Sequence, residues 1–383
     1  MGRVRFAWVG LGPRAWDLLT CYAHHPQFDV VAVADRVTAL ADDIAAGLAQ
    51  QQGHPVGSFA DYESCLRGAA FDALILCLPP DVQVPIAVDA MRRGIHVMTE
   101  VPAALSIAEC WALVEAVKAS GVKYQLAEQA RHWQFIRRWR EMAQAGEFGK
   151  IYYAEGEYLH YEPSWDLFRN KQTGERVYPQ SDGDFDDSAL EQSWRYRLFR
   201  NPMYYMPHEL SPLLSITGGR ICKVSCRSLP VGGLADARLN VCDLQAALMY
   251  NTEDVIFSLR AGFTVPCGFK GELGAHWYQV KGSKACVETA RSTLDGMKIY
   301  RAGGDWEPAD WGTADPDAPA VFREASHGGV DFYPIDTFIQ AILRDTVPEM
   351  DVYRAVESAA PAIMAVESAE KGGILLDVPD FRI

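Results

Sequence analysis

Along residues 4–126, short runs of nearly continuous apolar residues alternate with stretches in which apolar positions recur at helical spacing. The runs predict strands at 4–10, 28–35, 71–78, 95–99 and 122–126. The stretches between them predict helices at 13–24, from 39 onward, at 87–93 and at 107–119. Because strands without a polar face must be covered on both sides, this order predicts a doubly wound parallel α/β sheet.

From about residue 150 the pattern changes to an alternation of apolar and polar positions. It is seen in IYYAEGEYLHY, CKVSCRSL, LQAALMY, DVIFSLRAGF, HWYQVKGS and KACVETA. This alternation predicts an open-faced, mainly antiparallel sheet with one packed face and one free face. The segments IDTFIQAILRD and VESAAPAIMAVESAEKGG predict closing helices with a glycine stop. We therefore predict two domains, an α/β domain at 1–128 and an α+β sheet domain with a C-terminal helix at 129–383.

One segment, residues 162–191, follows neither pattern and contains the acidic run DGDFDD. Its acidic residues do not have the spacing of a calcium-binding loop. The segment therefore predicts an irregular surface excursion of the second domain with a solvated acidic loop.

Composition narrows the class of protein. A length of 383 residues fits two domains, and 36 basic against 50 acidic residues give a formal net charge of −14. Such an acidic chain lacks the basic surface that nucleic acid or an anionic membrane requires, so neither is expected as a partner. No apolar run approaches the roughly 18 residues of a membrane helix.

The cysteines and the N-terminus predict a compartment. Nine scattered cysteines are typical of reduced thiols rather than of a disulfide framework, and MGRVRFAWVGLG does not resemble a signal peptide. We therefore expect a soluble, cytoplasmic protein. The single close pair, Cys222 and Cys226, lacks the second pair of a zinc site, so no metal is expected.

The most informative local motif is GLGPRA, comprising Gly10, Gly12, Pro13, Arg14 and Ala15. It fits G-x-G-x-x-A directly after a predicted strand and at the start of a predicted helix, as in dinucleotide-binding Rossmann domains. The helix start offers N–H groups and a positive dipole end to a pyrophosphate.

A carboxylate stands where such a site binds the ribose. Asp35 ends the second predicted strand and favours NAD over NADP, because it repels a 2′-phosphate. The neighbouring Arg36 leaves dual use open, and a tight turn without any nucleotide is the structural alternative.

Several segments carry a family resemblance. CLPPDVQVPIAVDAMRRGIHVMTEVPAALSIAEC, EFGKIYYAEGEY and FIQAILRDTVPEMDVYRAVESAAPAIMAVESAEKGG occur in this order. Together with the turn motif they resemble the Gfo/Idh/MocA oxidoreductase family across essentially the whole chain. The resemblance implies a Rossmann domain, a sheet whose free face meets the nicotinamide, and a homo-oligomer, either a dimer or a tetramer. It also extends the expected cofactor site to Leu78, Pro79, Gln83, Glu100, Val101 and Pro102.

Two departures point to a particular branch. Sugar and polyol dehydrogenases of the family carry Glu-Lys-Pro where this chain has Glu100-Val101-Pro102, and an Asp where it has Tyr204, four residues before His208. This combination, and the segment EVPAALSIAECWALVEAV, resemble the NAD-dependent glycosidases of glycoside hydrolase family 109, the α-N-acetylgalactosaminidase type.

The branch signature Y-P-T-H-G-L-G-P resembles YMPHELSP at 205–212. By position it implies that Tyr205 and His208 are catalytic, and Glu128 and Tyr158 occupy the places of two further active-site residues. Several positions differ from the branch. Pro207 replaces Thr, Glu209 and Ser211 replace the glycines, and Gln129 replaces an Asn.

The implied chemistry is hydrolysis by transient oxidation of the sugar at C3, loss of the C2 proton with elimination at C1, addition of water and re-reduction. His208 suits the hydroxyl proton. Tyr158 and Tyr205 suit either the C2 base or donation to the ketone, and Glu128 suits orientation of the sugar or acid–base work. The alternatives are a helix-start role for His208 and packing for the tyrosines.

Aromatic planes and arginine forks suit a carbohydrate substrate. The expected substrate-binding residues are Arg131, His160, Trp194, Arg195 and Tyr278; Trp165, Arg169 and His276 are further candidates. Ordinary surface or packing roles are the alternative for each of them.

Two other functions remain open at this point. One is a conventional NAD(P)-dependent sugar or glycoside dehydrogenase that oxidises C3 and releases NADH. The other is a nucleotide-sensing regulatory subunit that has lost catalysis. The retained pair of Tyr205 and His208 argues against a sensor, because a sensor needs no acid–base groups.

Overall fold

A computed structural model describes residues 2–161, 167–172, 176–177, 187–230, 242–265, 273–323 and 326–383. These residues form two compact units. The first comprises Met1–Gln134, Gly312–Val356 and Phe381–Ile383, and the second Phe135–Trp311 and Glu357–Asp380. The boundary between residues 128 and 129 stays a prediction. Trp165, Cys267 and residues 182–186 of the acidic run lie outside the described residues.

The first unit is built on a six-stranded parallel sheet of order β3-β2-β1-β4-β5-β6. Its strands are β1 Val4–Val9, β2 Phe28–Ala34, β3 Gly57–Phe59, β4 Ala73–Leu76, β5 His96–Thr99 and β6 Tyr124–Leu126. Phe6 and Trp8 on β1 are fully buried, as expected for a strand covered on both faces. The predicted doubly wound parallel sheet is confirmed.

Helices separate these strands. They are α1 Pro13–Tyr22, α2 Thr38–Gln52, α3 Tyr62–Gly68, α4 Pro80–Arg92 and α5 Ile107–Ser120. The pattern missed β3 and α3, because elements of three and seven residues hardly establish a periodicity. It also placed the start of α4 at residue 87, whereas the helix begins at Pro80, a favourable first position for proline. Pro85 inside the helix interrupts the sequence signal.

The second unit contains a nine-stranded sheet of order β17-β16-β15-β14-β7-β13-β12-β11-β18. Its strands are β7 Ile151–Leu159, β11 Ile221–Pro230, β12 Cys242–Asn251, β13 Ile256–Gly262, β14 His276–Gly282, β15 Ala285–Glu288, β16 Lys298–Arg301, β17 Trp306–Pro308 and β18 Leu376–Asp377. The pairing of β7 with β13 is parallel, and the other pairings between the described strands of this sheet are antiparallel. The predicted mainly antiparallel sheet is confirmed.

The remaining helices are α6 Gln134–Gln144, α7 Trp194–Arg200, α8 Pro207–Thr217, α9 Ala320–Arg323, α10 Phe332–Arg344 and α11 Val352–Glu370. The prediction that 162–191 is irregular is wrong for part of that segment. It contains β8 Phe168–Asn170, β9 Arg176–Val177 and β10 Leu190–Gln192, which form a small antiparallel sheet. Two or three residues per strand are too few for a pattern to reveal.

No helix among the described residues has the length and apolar character needed to cross a bilayer. In the same part of the chain, no three His, Cys, Asp or Glu side chains gather as metal ligands would. The eight described cysteines are free thiols.

Candidate functional site

The turn after β1 has the geometry of a nucleotide cradle. Gly10 has φ +91°, and a Cβ there would lie 2.4 Å from the carbonyl oxygen of Cys77. At Gly12, by contrast, a Cβ would meet no described heavy atom within 4 Å. Gly12 is the N-cap of α1, and no described side chain makes a capping hydrogen bond there. The first N–H groups of α1 therefore open onto space where a phosphate fits.

Asp35 ties this turn to the end of β2. Its Oδ2 accepts a hydrogen bond from the backbone N–H of Leu11 at 2.8 Å, and its Oδ1 accepts one from Val37 at 2.9 Å. A carboxylate has further lone pairs for the hydroxyls of a ribose. The bare helix start and this carboxylate fit the two ends of an adenosine diphosphate unit, so the residues present suit NAD.

The loop after β5 lies at the same carboxyl edge of the parallel sheet. The side-chain amide of Gln83, which is buried, donates to the carbonyl oxygens of Glu100 at 2.9 Å and Pro102 at 3.3 Å. The peptide bond between Val101 and Pro102 is cis. Gln83 on α4 thus fixes the backbone of the segment that carries Val101 in place of the lysine of dehydrogenases.

Arg14 has partners that the sequence did not indicate. Its Nε lies 3.2 Å from Glu100 Oε1, and its Nη2 donates to Asp331 Oδ1 at 2.8 Å. Asp331 is buried, and its other oxygen lies 3.0 Å from His327 Nδ1. Burial disfavours the charged carboxylate, but Arg14 and His327 outweigh it and hold the pKa of Asp331 well below its usual range. Arg14 therefore helps to hold the start of α10, and its role toward NAD stays a prediction.

The other predicted residues of the first unit are also engaged in local contacts. Glu128 is fully buried, and its Oε1 accepts a hydrogen bond from the N–H of Ala130 at 2.8 Å. Arg131 is buried with its Nε 3.7 Å from Glu349 Oε1. Both residues follow β6 at the carboxyl edge of the sheet, where ligands bind in open α/β folds.

In the second unit, the structure brings together the three predicted proton-transfer residues. The ring of Tyr158 on β7 lies 5.5 Å from that of Tyr205 and 5.6 Å from that of His208, nearly parallel to both. Tyr205 ends a 3₁₀ helix, Pro202–Tyr205, and His208 lies in the first turn of α8. A β-strand, a 3₁₀ helix and an α-helix thus bring the side chains of Tyr158, Tyr205 and His208 together in one cluster.

More rings complete this cluster. His160 lies 4.5 Å from Tyr158 and 5.6 Å from Phe263 between ring centroids. Tyr278 is fully buried, and its hydroxyl donates to the backbone carbonyl of His208 at 2.9 Å. Tyr278 therefore supports the backbone that carries His208, and its contact with a substrate stays a prediction.

A carboxylate and an imidazole in the cluster were missed as a pair. Glu209 is fully buried, and its Oε1 lies 2.6 Å from Nδ1 of His276 on β14. Gly156 makes room for it, because a Cβ on Gly156 would lie 2.8 Å from Glu209 Cβ. The available sequence signal was the replacement of a signature glycine by a carboxylate. Nothing in the sequence matched it to a histidine 67 residues away.

Trp194 and Arg195 begin α7, and the Arg195 guanidinium lies 4.6 Å from the centroid of the Trp194 ring. This distance is within the range of a cation–π contact. Both side chains are partly exposed, so a carbohydrate contact remains a prediction for them.

Comparisons with known proteins identify relatives. Residues 4–128 match the family model "Oxidoreductase family, NAD-binding Rossmann fold", and residues 318–382 match "Glycosyl hydrolase 109, C-terminal domain". A glycosyl hydrolase family 109 protein of Saccharopolyspora erythraea is 26% identical, over 99% of this chain and 83% of that protein. The α-N-acetylgalactosaminidase of Tannerella forsythia is 25% identical, over 99% and 86%.

Among solved structures, the WlbA dehydrogenase of Bordetella pertussis in complex with NADH and UDP-GlcNAcA is similar in fold, with a TM-score of 0.69. It is 18% identical, and the match covers 99% of each chain. The family models and relatives confirm the predicted resemblance, the fold class and NAD as the cofactor. The roles of individual residues stay predictions.

Proposed function

Because this chain belongs to the Gfo/Idh/MocA oxidoreductases, and within them to the glycosyl hydrolase 109 group, we propose that it is an NAD-dependent glycoside hydrolase. The observation that carries the proposal is the cluster of Tyr158, Tyr205 and His208, whose ring centroids lie 5.5–6.3 Å apart. Hydrolysis through a C3 ketone needs several proton transfers on one sugar, and this cluster supplies several groups that can make them.

When bound, NAD would supply the acceptor for the hydride that leaves C3, and its reduced form would supply that hydride again for the re-reduction of C3. Gly10, Gly12 and Asp35 are the residues that would hold it, through the open start of α1 and the carboxylate at the end of β2. The side chain of Val101 cannot take part in proton transfer. Proton transfer from the C3 hydroxyl therefore falls to His208, whose imidazole can act as a general base.

The two tyrosines provide the remaining proton transfers. Once C3 is a ketone, the C2 proton becomes acidic because the carbanion is delocalised onto the ketone oxygen. One of Tyr158 and Tyr205 removes that proton, and the other donates to the ketone oxygen. Their rings are 10° from parallel, which leaves both assignments open.

Deuterated water provides the test. The protein with NAD is offered aryl glycosides, beginning with 4-nitrophenyl α-N-acetylgalactosaminide, because of the activity for which the Tannerella forsythia relative is named. A hydrolase of this type releases the aglycone without net NADH and places deuterium at C2 of the product. Accumulation of NADH with the glycosidic bond intact would instead establish a sugar dehydrogenase. NAD binding without any reaction would indicate a sensor.

The role of His208 is tested by His208→Ala. We expect this change to abolish aglycone release and to leave NAD affinity within about twofold, since the first turn of α1 does not depend on His208. Turnover like that of the unaltered protein would remove the central assignment of the proposal.

We further propose that the protein is cytoplasmic and forms a homo-oligomer, a dimer or a tetramer. The scattered thiols support the first statement, and the family resemblance supports the second. Sedimentation of the purified protein measures the oligomeric state directly.

A further inference from the structure

We infer that Glu209 and His276 form a second acid–base pair beside His208, in which His276 exchanges a proton at the glycosidic bond and Glu209 positions it. This inference rests on the proposed glycoside hydrolysis and adds a residue pair to it. The pair is not part of the signature that the chain resembles, because that signature has glycine at the position of Glu209.

Burial makes the pair more than a chance contact. Glu209 has no exposed surface, and an ionised carboxylate in such a place is stable only when hydrogen-bonded or paired. Its Oε1 lies 2.6 Å from His276 Nδ1, a distance typical of a charge-assisted hydrogen bond. Glu209 also lies in the first turn of α8, where the helix dipole favours a negative charge.

The geometry fixes which nitrogen of His276 can act. A carboxylate on Nδ1 holds the proton there and orients the ring, as in the carboxylate–histidine pairs of hydrolases. Nε2 is then the nitrogen that exchanges protons with a substrate. Tyr278, whose hydroxyl lies 3.5 Å from Nδ1 and donates to the carbonyl oxygen of His208, connects the pair to the backbone of the first base.

The position of His276 places it among the groups that handle the sugar. Its ring lies 4.9 Å from Tyr158 and 6.2 Å from His208, between ring centroids. Hydrolysis through a C3 ketone leaves one proton transfer beyond those assigned to His208 and the tyrosines, namely the one at the leaving group.

The proposed step is balanced in protons and electrons. The C2 proton first leaves to a tyrosine that begins as the phenolate. The C1–O bond then breaks with its electron pair on the aglycone oxygen, which takes a proton from Nε2 of the doubly protonated His276. Water then adds to C1 and returns a proton to Nε2, while the C2 carbon takes a proton back from the tyrosine. His276 ends in the state in which it began.

Leaving-group dependence tests this step. A 4-nitrophenyl glycoside needs little protonation of its leaving oxygen, whereas a methyl glycoside of the same sugar depends on it. We expect His276→Asn to lower kcat on the methyl glycoside by about 10²–10⁴-fold, and on the nitrophenyl glycoside by less than about tenfold. Glu209→Gln, which keeps the shape and removes the charge, should give a smaller change of the same kind, with KM nearly unchanged.

A matched control is available in the first unit. His54 Nε2 lies 2.8 Å from Asp29 Oδ1, so His54→Asn breaks another carboxylate–histidine pair of the chain. It should leave the ratio of the two rates as it is in the unaltered protein. Circular dichroism and thermal melting check that each variant is folded. If Glu209→Gln does not fold, His276→Asn alone decides the question, because His276 is partly exposed.

Two further measurements separate this inference from the proposed function. Exchange of the C2 hydrogen with deuterated water precedes leaving-group departure, so it should continue in His276→Asn. Nitrogen NMR of the histidines should show protons on both Nδ1 and Nε2 of His276, because Nε2 gives its proton to the leaving group. If the unaltered protein hydrolyses glycosides but His276→Asn keeps its leaving-group ratio, the acid–base role is overturned and the hydrolase stands. If the unaltered protein neither releases aglycone nor exchanges C2, both are overturned.

Discussion

The hydroxyl of Tyr278 donates a hydrogen bond of 2.9 Å to the backbone carbonyl of His208. The tyrosine is fully buried on β14, and the carbonyl belongs to the first turn of α8. The backbone of a proposed catalytic histidine is therefore fixed by the side chain of a residue 70 positions later in the chain.

Tyr278→Phe tests this support. The ring stays, but the carbonyl loses a donor, so we expect the free energy of unfolding to fall by about 1 kcal/mol. The value of kcat should fall several-fold with little change in KM, because His208 is less firmly placed. Urea unfolding and steady-state kinetics measure the two effects. The exposed Tyr152 provides a control as Tyr152→Phe, for which neither quantity should change.

The two glycines of the nucleotide turn should respond differently to alanine. Gly10→Ala brings a Cβ to 2.4 Å from the Cys77 carbonyl oxygen at a positive φ, so it should lower stability by about 1–3 kcal/mol. Gly12→Ala meets no described protein atom, so stability should be kept. It should still weaken NAD binding tenfold or more, because the new methyl group occupies the space of the pyrophosphate. Thermal melting and calorimetric NAD titration distinguish the two. Equal NAD affinity in Gly12→Ala would contradict the placement of the phosphates.

Asp35 should control the choice of nucleotide. Asp35→Asn removes the charge that repels a 2′-phosphate but keeps an oxygen acceptor for the N–H of Leu11 or Val37. NAD affinity should fall about tenfold while NADP affinity rises, so the ratio of the two dissociation constants moves toward unity. Binding of both nucleotides to the variant gives this ratio. Asp29→Asn, on the same strand, should leave it unchanged, and a change there would show that any charge loss on β2 has this effect.

The ion pair of Arg14 and Asp331 should make stability depend on acid pH. The folded pKa of Asp331 lies below its unfolded value of about 3.9, so its stabilisation is present above that pH and is lost as the pH falls toward the folded value. Asp331→Asn should cost about 2 kcal/mol at pH 7. That is less than a fully buried pair is worth, because the Arg14 side chain is 30% exposed.

Urea unfolding between pH 7 and pH 3 measures this dependence. The difference between Asp331→Asn and the unaltered protein should begin to shrink below about pH 4, because Asp331 of the unaltered protein then binds a proton in the unfolded state but not in the folded state. A difference that stays constant to pH 3 would show that the carboxylate charge of Asp331 does not stabilise the fold.

Much of the fold follows from local sequence patterns. The apolar runs that form β1, β2, β4 and β5 can be recognised in the sequence, because a strand buried on both faces has almost no polar position. The alternation of apolar and polar residues along β12 can be recognised equally well, because one face of this strand is exposed. The elements missed, β3, α3 and the small sheet of β8, β9 and β10, are too short to establish a period.

The candidate site also has one part that local sequence patterns predict and another part that they do not. The turn of Gly10 and Gly12 could be predicted because its glycines, the strand before it and the helix after it lie within a few residues of one another. The cluster of Tyr158, Tyr205 and His208 came from a family resemblance, and the structure places these rings together. Physical patterns along the chain alone would have left the two tyrosines as packing residues and His208 as a helix-start residue.

The sequence by itself determined which strands are covered on both faces, where the helix that receives a pyrophosphate begins, and which branch of a family the chain resembles. The tertiary structure decided the partners: Glu209 with His276, and Arg14 with Asp331, which are 67 and 317 residues apart. The physical reason is that periodicity records only whether a position faces the core or water. Which buried acid meets which base depends on the packing of distant elements, and here on the space that Gly156 leaves for Glu209.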